Sequence, residues 1–307
     1  MMLGICGCGD KGRAPSGPKR LTVVATLFPL YDFARNVAGD RADVTQLLPP
    51  GVEAHSWEPK PQEILRIHNA DIFIYTGPFM EPWAEGIIKG SQGKALVVVD
   101  SGEGVTLRPE VENDADHGHD HGHADAHGRP EPVDPHIWLD LGNAQKMVDN
   151  IAAGFIKKDP EGRAVYEKNA AVYKAALQQL DEKFVQGLAG CRTRLFVHGG
   201  HYAFNYLARR YNLTYVSAYG FSPNAEPSPR HITDIVKQMK RSGTTYIFYE
   251  ELLQPRIAET IARETGATLL RLNVGHNVTK DEKEKGVTFI SLLDGDLANL
   301  RTGLQCR

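Results

Sequence analysis

From Leu21 almost to the end of the chain, short apolar runs alternate with stretches in which apolar residues recur every three or four positions. LTVVATLF (21–28) is a β-branched run broken at Pro29, and the PLYDFARNVAG that follows spaces Leu30, Phe33 and Val37 at helical intervals. DVTQLL (43–48), DIFIYT (71–76) and ALVVV (95–99) read as further short buried strands, with PQEILRIHNA (61–70) and EPWAEGIIKG (81–90) as helices between them. Strands that are apolar almost throughout and separated by helices predict a parallel sheet covered on both faces.

The second half repeats the plan. RLFVHG (194–199), LTYVSA (213–218), TYIFYE (245–250) and ATLLRL (267–272) are strand candidates. The intervening helices are HYAFNYLARRY (201–211), SPRHITDIVKQMKRSG (228–243) and QPRIAETIARETG (254–266), the last closing on a glycine C-cap at Gly266. Between the halves, Tyr166, Ala170, Tyr173, Leu177, Leu180, Phe184 and Leu188 form a stripe with spacings of three and four. The stripe predicts one amphipathic helix over 160–189, roughly 45 Å long at about 1.5 Å per residue, which can lie along both halves as a stiff spine. The expected fold class is α/β: two Rossmann-like lobes joined by a long rigid helix. The expected divisions are a leading segment 1–20, an N-terminal lobe 21–159, the linking helix 160–189 and a C-terminal lobe 190–307.

A chain of 307 residues, 41% hydrophobic and 24% charged, has the composition of an ordinary globular protein. It is long enough for two cores of about 100–150 residues each. A formal net charge of −3 gives no electrostatic case for nucleic acid, and no segment approaches the roughly 18 consecutive apolar residues of a membrane span. Four cysteines, Cys6, Cys8, Cys191 and Cys306, have no zinc-ribbon spacing. The opening MMLGICGCGDKGRAPSGP resembles the tail of a bacterial lipoprotein signal, with Cys8 as the residue to be lipidated and a Gly/Pro/Ser tether after it. It lacks the full basic and apolar regions of such a signal, so the start reads as truncated; the plainer reading is a tail with two idle thiols. In an oxidising compartment Cys191 and Cys306 are the natural pair.

Histidine is where the chemistry concentrates. HGHDHGHADAH (117–127) holds His117, His119, His121, His123 and His127 within the low-complexity loop 113–129. Its glycines and aspartates supply no rigid frame, and a selective zinc site needs ligands held at about 2.0–2.1 Å by a firm surround. The loop reads as a weak, solvated metal collector, and the rigid site lies elsewhere. Four other histidines stand where strands run out: His55 in PPGVEAHSWEPKP, His136 in DPHIWLD, His201 in VHGGHYAFNY and His276 in LNVGHNV. Ligands bind at the carboxyl ends of strands in open α/β sheets, so these loops are expected to converge between the lobes. His68 and His231 read as ordinary helix residues, and His198 as an orienting partner rather than a ligand.

At these residues the chain resembles the zinc- and manganese-binding solute-binding proteins of bacterial ABC uptake systems. PPGVEAHSWEPKPQE, DPHIWLD, HYAFNYLARRYNL, EPSP (226–229) and FYEELLQPRIAETIARETGA carry the resemblance, which extends over residues 21 to 304. It implies two α/β lobes with a metal in the cleft between them, and His55, His136 and His201 as imidazole ligands. The His/Asp-rich insertion is similar to that of the zinc-importing members. The family commonly takes a carboxylate from the loop after the last strand, where this chain has Asn273; a manganese-type mixed site is thereby disfavoured and Zn2+ favoured. The fourth position stays open among His276, Glu250, Asn273 and water, with His276 preferred because Gly275 frees the backbone to turn it inward. Glu53 and Glu250 are the carboxylates that fall near the ligand loops, and Trp57 and Trp138 are expected to pack beneath them.

The implied function is extracytoplasmic capture of zinc by a monomer, in the periplasm or at the outer face of the membrane through Cys8, and delivery to an inner-membrane ABC permease. A zinc-dependent hydrolase and a manganese carrier are the alternatives. The hydrolase would need an open coordination position and a nearby base, and no HExxH spacing supports it.

Overall fold

The computed structural model describes residues 20–91, 93, 95–109, 133–220 and 226–307. The histidine-rich run and the leading segment with Cys6 and Cys8 lie outside them. In the N-terminal half, β1 (Leu21–Ala25), α1 (Phe28–Ala38), β2 (Ala42–Gln46), α2 (Pro61–Asn69), β3 (Ile72–Tyr75), α3 (Ala84–Gly90) and β4 (Val97–Asp100) alternate as the apolar pattern predicts. All pairings are parallel, in the order β2-β1-β3-β4. Residues Val23, Ala25, Ile72 and Ile74 are fully buried because helices cover the sheet.

Two helices follow: α4 (Leu141–Lys158), capped by the Asp140 carboxylate on the amides of Gly142 and Asn143, and α5 (Arg163–Ala189). A short 3-10 turn at Pro160–Gly162 separates them, so the long helix begins slightly later than its stripe suggests. Its buried positions include every member of that stripe, from Tyr166 to Leu188. They form one continuous core with residues of α1, α4 and the C-terminal helix α10 (Phe289–Gly303), so a single apolar cluster runs through both lobes. Asp32 of α1, also buried, accepts hydrogen bonds from Tyr173 Oη (2.8 Å) and the amide of Phe289 (3.0 Å), pinning α1, α5 and α10 together.

The second lobe contains β5 (Leu195–His198), α6 (Asn205–Arg210), β6 (Thr214–Ser217), α7 (Pro229–Ser242), β7 (Tyr246–Glu250), α8 (Arg256–Thr265), β8 (Thr268–Leu272) and α9 (Lys280–Glu284), ahead of α10. Its parallel order, β6-β5-β7-β8, reproduces that of the first sheet. Helices α7 and α8 both end on a glycine in the left-handed region, Gly243 and Gly266. A disulfide joins Cys191, just past α5, to Cys306, just past α10.

Candidate metal centre

His55, His201 and His276 sit on loops at the carboxyl ends of strands; His136, expected where a strand runs out, instead stands directly before a 3-10 turn, with no strand of the described residues ending beside it. His55 lies in the turn after β2, whose shape Glu53 sets by accepting the amides of His55 (3.0 Å) and Ser56 (3.1 Å). His136 precedes a 3-10 turn (Ile137–Leu139) that leads into Asp140 and α4. His201 follows β5 after Gly199 and Gly200, and His276 follows β8. A side chain at position 200 would run into the Glu250 carboxylate and the His198 ring, so glycine is required for this turn to close over Glu250.

These loops meet between the lobes. The Nε2 atoms of His55 and His136 are 3.1 Å apart, as are those of His201 and His136. The ligand atoms of His55, His136 and His201 all lie within 4.8 Å of one another. The ring of His276 is 6.3 Å, centre to centre, from those of both His55 and His201. Two short interlobe seams hold the arrangement: Asn277 Nδ2 donates to the carbonyls of Pro49 (2.7 Å) and Val52 (2.8 Å), and the amide of Phe28 donates to the carbonyl of His276 (3.1 Å).

Carboxylates behind two of the rings fix their tautomers. His136 Nδ1 is 2.8 Å from Asp134 Oδ1, and His201 Nδ1 is 2.6 Å from Glu250 Oε2, while Glu250 Oε1 accepts the amide of His201 at 2.8 Å. A ring that donates through Nδ1 presents a lone pair at Nε2, so His136 and His201 both aim an acceptor at the same point. Acceptors 3.1 Å apart repel unless a cation lies between them. In a tetrahedron with Zn–N of about 2.0–2.1 Å, neighbouring nitrogens stand about 3.3–3.4 Å apart. The observed spacing is close to that edge.

The remaining ring is the more telling. His276 is 1% exposed, and neither Nδ1 nor Nε2 has a hydrogen-bond partner among the described residues. A buried imidazole without a partner forfeits its hydration for nothing in return, unless a ligand outside the protein supplies it. Burial, together with the charge of His201, holds His55 and His276 down at about 3 and His136 well below its ordinary 6.5. His201 is the exception. Burial lowers it too, but the Glu250 carboxylate outweighs that effect and raises it above 6.5, while Glu250 is itself held down at about 2 by His201 despite being buried. Burial thus favours the neutral form of His55, His136 and His276, and Glu250 favours the proton on His201.

Other sequence candidates fall into place around it. Glu250, weighed above as a fourth ligand, is engaged on the far side of the His201 ring and supports that ring instead. Asn273 is turned to α10, where its Nδ2 and its amide both donate to Asp296 Oδ1 (3.1 and 2.9 Å), while its own Oδ1 is buried without a hydrogen-bond partner among the described residues. His198 lies 3.1 Å from the carbonyl of His201 and supports its backbone rather than its ring. His68 and His231 meet Ser91 Oγ (2.8 Å) and the carbonyl of Ser217 (2.9 Å), away from the cluster. Trp138 packs 5.5 Å from the His136 ring and donates to the carbonyl of Val274 (2.8 Å), tying two ligand loops together. Trp57 packs instead against Trp83 in the first lobe. The sequence reading missed Asp134, although an aspartate two residues before a ligand histidine is the available signal.

Residues 23–303 match the family model for the periplasmic zinc-uptake complex component A, ZnuA. The chain is 36% identical over 303 residues to the high-affinity zinc uptake system protein ZnuA of Bacillus subtilis, covering 98% of this chain and 93% of that one. It is 32% identical over 302 residues to the zinc-binding lipoprotein AdcA of Streptococcus pneumoniae, covering 97% of this chain but only 58% of the longer relative. Among solved structures, the metal-dependent lipoprotein YcdH of Bacillus subtilis superposes with a TM-score of 0.78 at 33% identity, covering 93% of this chain and 99% of that one. The Zn(II)-bound ZnuA-like domain of pneumococcal AdcA does so with a TM-score of 0.78 at 30% identity and the same coverage. With the matched model running through both lobes and all four histidine loops, this chain belongs to the ZnuA family of periplasmic zinc-uptake components.

Proposed function

We propose that the protein captures one Zn2+ ion between its lobes through His55, His136, His201 and His276 and delivers it to an ABC permease. The observation that carries this reading is His276: a buried ring with two unpartnered nitrogens, beside three imidazoles whose ligand atoms already converge. Four imidazoles complete a zinc tetrahedron and leave no corner for a reacting water, and Glu250 is occupied by His201. The donor set thus favours a carrier over a hydrolase. An all-nitrogen set likewise favours zinc over manganese, which prefers oxygen donors.

Delivery requires the ion to leave again. His55 is the only one of the four that is not fully buried, and its turn forms the outer edge of the site. Among the described residues no helix is long and apolar enough to cross a membrane. The family match to a periplasmic component supports placing the lobes at the extracytoplasmic face, with Cys8 as the candidate anchor. Calorimetric titration of zinc into the metal-free protein tests it. One tight ion per chain is expected, weakened about 10–100-fold or more in His276→Ala. If His276→Ala binds as tightly as the parent, the fourth ligand is not this histidine.

A further inference from the structure

We propose that Arg210 is a positioning residue that sets the separation of the two ligands contributed by opposite lobes, His136 and His201; the proposal rests on the zinc site argued above. Arg210 is the last residue of α6, the helix that begins four residues after His201. Its Nε and Nη2 form a two-pronged bond to Asp181 of the long helix, both at 2.7 Å, and its Nη1 reaches Asp140 at 2.7 Å. Asp140 follows directly on the 3-10 turn that begins after His136, and the same Oδ1 atom caps α4. Asn143, in the first turn of α4, closes the unit by donating to the carbonyl of Ile137 at 3.2 Å.

One guanidinium therefore fastens the far end of the His201 segment to the far end of the His136 segment, and both to the spine that runs through the two lobes. A planar fork can satisfy this geometry and a lysine ammonium cannot, because two of the three bonds are parallel and the third leaves at a fixed angle. The approach is close enough to constrain the neighbouring backbone: a Cβ on Gly142 would stand 2.8 Å from Arg210 Nη1. Tyr211 adds its hydroxyl to Asp181 at 2.7 Å, so the carboxylate that receives the fork is itself held still. The 3.1 Å spacing of the two ligand nitrogens lies only one short turn and one short helix away from this clamp.

Two variants test it on the full-length protein. Arg210→Lys keeps the charge and loses the fork. Gly142→Ala keeps every charged group and improves the helix, but crowds the guanidinium. Zinc affinity is read by chelator competition, site geometry by the visible absorption of the cobalt-loaded protein, and stability by thermal melting of the metal-free form. The expected result is zinc binding weakened about 10–100-fold in Arg210→Lys, a smaller loss in Gly142→Ala without a lower melting temperature, and altered cobalt bands in both. Parent-like affinity and cobalt spectra in both variants would overturn the proposal. So would an affinity loss in Arg210→Lys that merely follows a lowered melting temperature while Gly142→Ala stays parent-like. A parent that binds no zinc would instead overturn the site reading itself.

Discussion

The two lobes have the same strand order, and each backs one of its proposed ligands with a carboxylate, yet the two pairs behave differently. In the first lobe, Asp134 meets both the ring and the amide of His136 through a single oxygen, and the imidazole stays neutral. In the second, Glu250 spends one oxygen on the His201 amide and the other on its ring, and the imidazole is pushed toward the charged form. His136 is flanked by imidazoles on both sides at 3.1 Å, and the proton favoured on His201 suppresses protonation of the rest. The difference teaches that the carboxylate behind a buried ring sets its preference for charge: Glu250 favours the proton on His201, whereas burial and the neighbouring rings hold His136 neutral.

The largest expected effect comes from removing either paired ring. His136→Ala and His201→Ala should each weaken zinc binding by about 100-fold or more, since each removes a proposed ligand ring and the ring contact of the carboxylate behind it. Equilibrium competition with a chelator of known affinity measures both. Removing the carboxylates separates the lobes more sharply. Asp134→Asn and Glu250→Gln should each cost about 10–100-fold in affinity, but Glu250→Gln should lower the pKa of His201 more, because Glu250 supports the charged ring more strongly than Asp134 does. If the two variants share one pH profile, the asymmetry between the lobes is not real.

Proton competition is the next test in size. Above the raised pKa of His201 no ligand proton has to leave, and zinc affinity should not vary with pH. Below it, affinity should fall about tenfold per pH unit, because a single proton is released on binding. The other rings titrate only near about 3 or well below 6.5, so the slope should stay near one rather than rise toward three or four. Chelator competition between about pH 5 and 8 reads this directly. In Glu250→Gln the same curve should be nearly flat.

Much of this was legible in the sequence. The strands announce themselves as near-continuous β-branched runs, and the spine as a stripe whose members all prove buried. Helix α4 carries a comparable stripe, Ala144, Met147, Val148, Ile151 and Phe155, yet the sequence reading passes over it because it follows the low-complexity loop without a strand to introduce it. His55, His201 and His276 stand out by their place after strands, whereas His136 is marked only by its DPHIWLD motif. What periodicity cannot give is the side of a ring on which a neighbour lies. Glu250 ends β7 and so falls near the site, but only the turn at Gly199 and Gly200 puts it behind His201. Asn273 is the position where a carboxylate is expected by resemblance, and its tie to Asp296, 23 residues later on α10, is not visible in any local pattern.

The smallest expected effect belongs to the region left out of the comparison. Deleting 113–129 should leave one tight zinc site unchanged in calorimetry and remove only additional weak binding, the result expected if the histidine run only raises local metal concentration. Loss of the tight site on this deletion would mean that the working ligands lie in the run.

X-ray absorption at the zinc edge, on protein loaded with one equivalent of metal, reaches the central claim most directly. The expected result is a first shell of four nitrogens at about 2.0–2.1 Å, with the outer-shell scattering of four imidazoles. A shell with three nitrogens and an oxygen, or with more than four donors, would contradict the tetra-imidazole site and remove His276 from it.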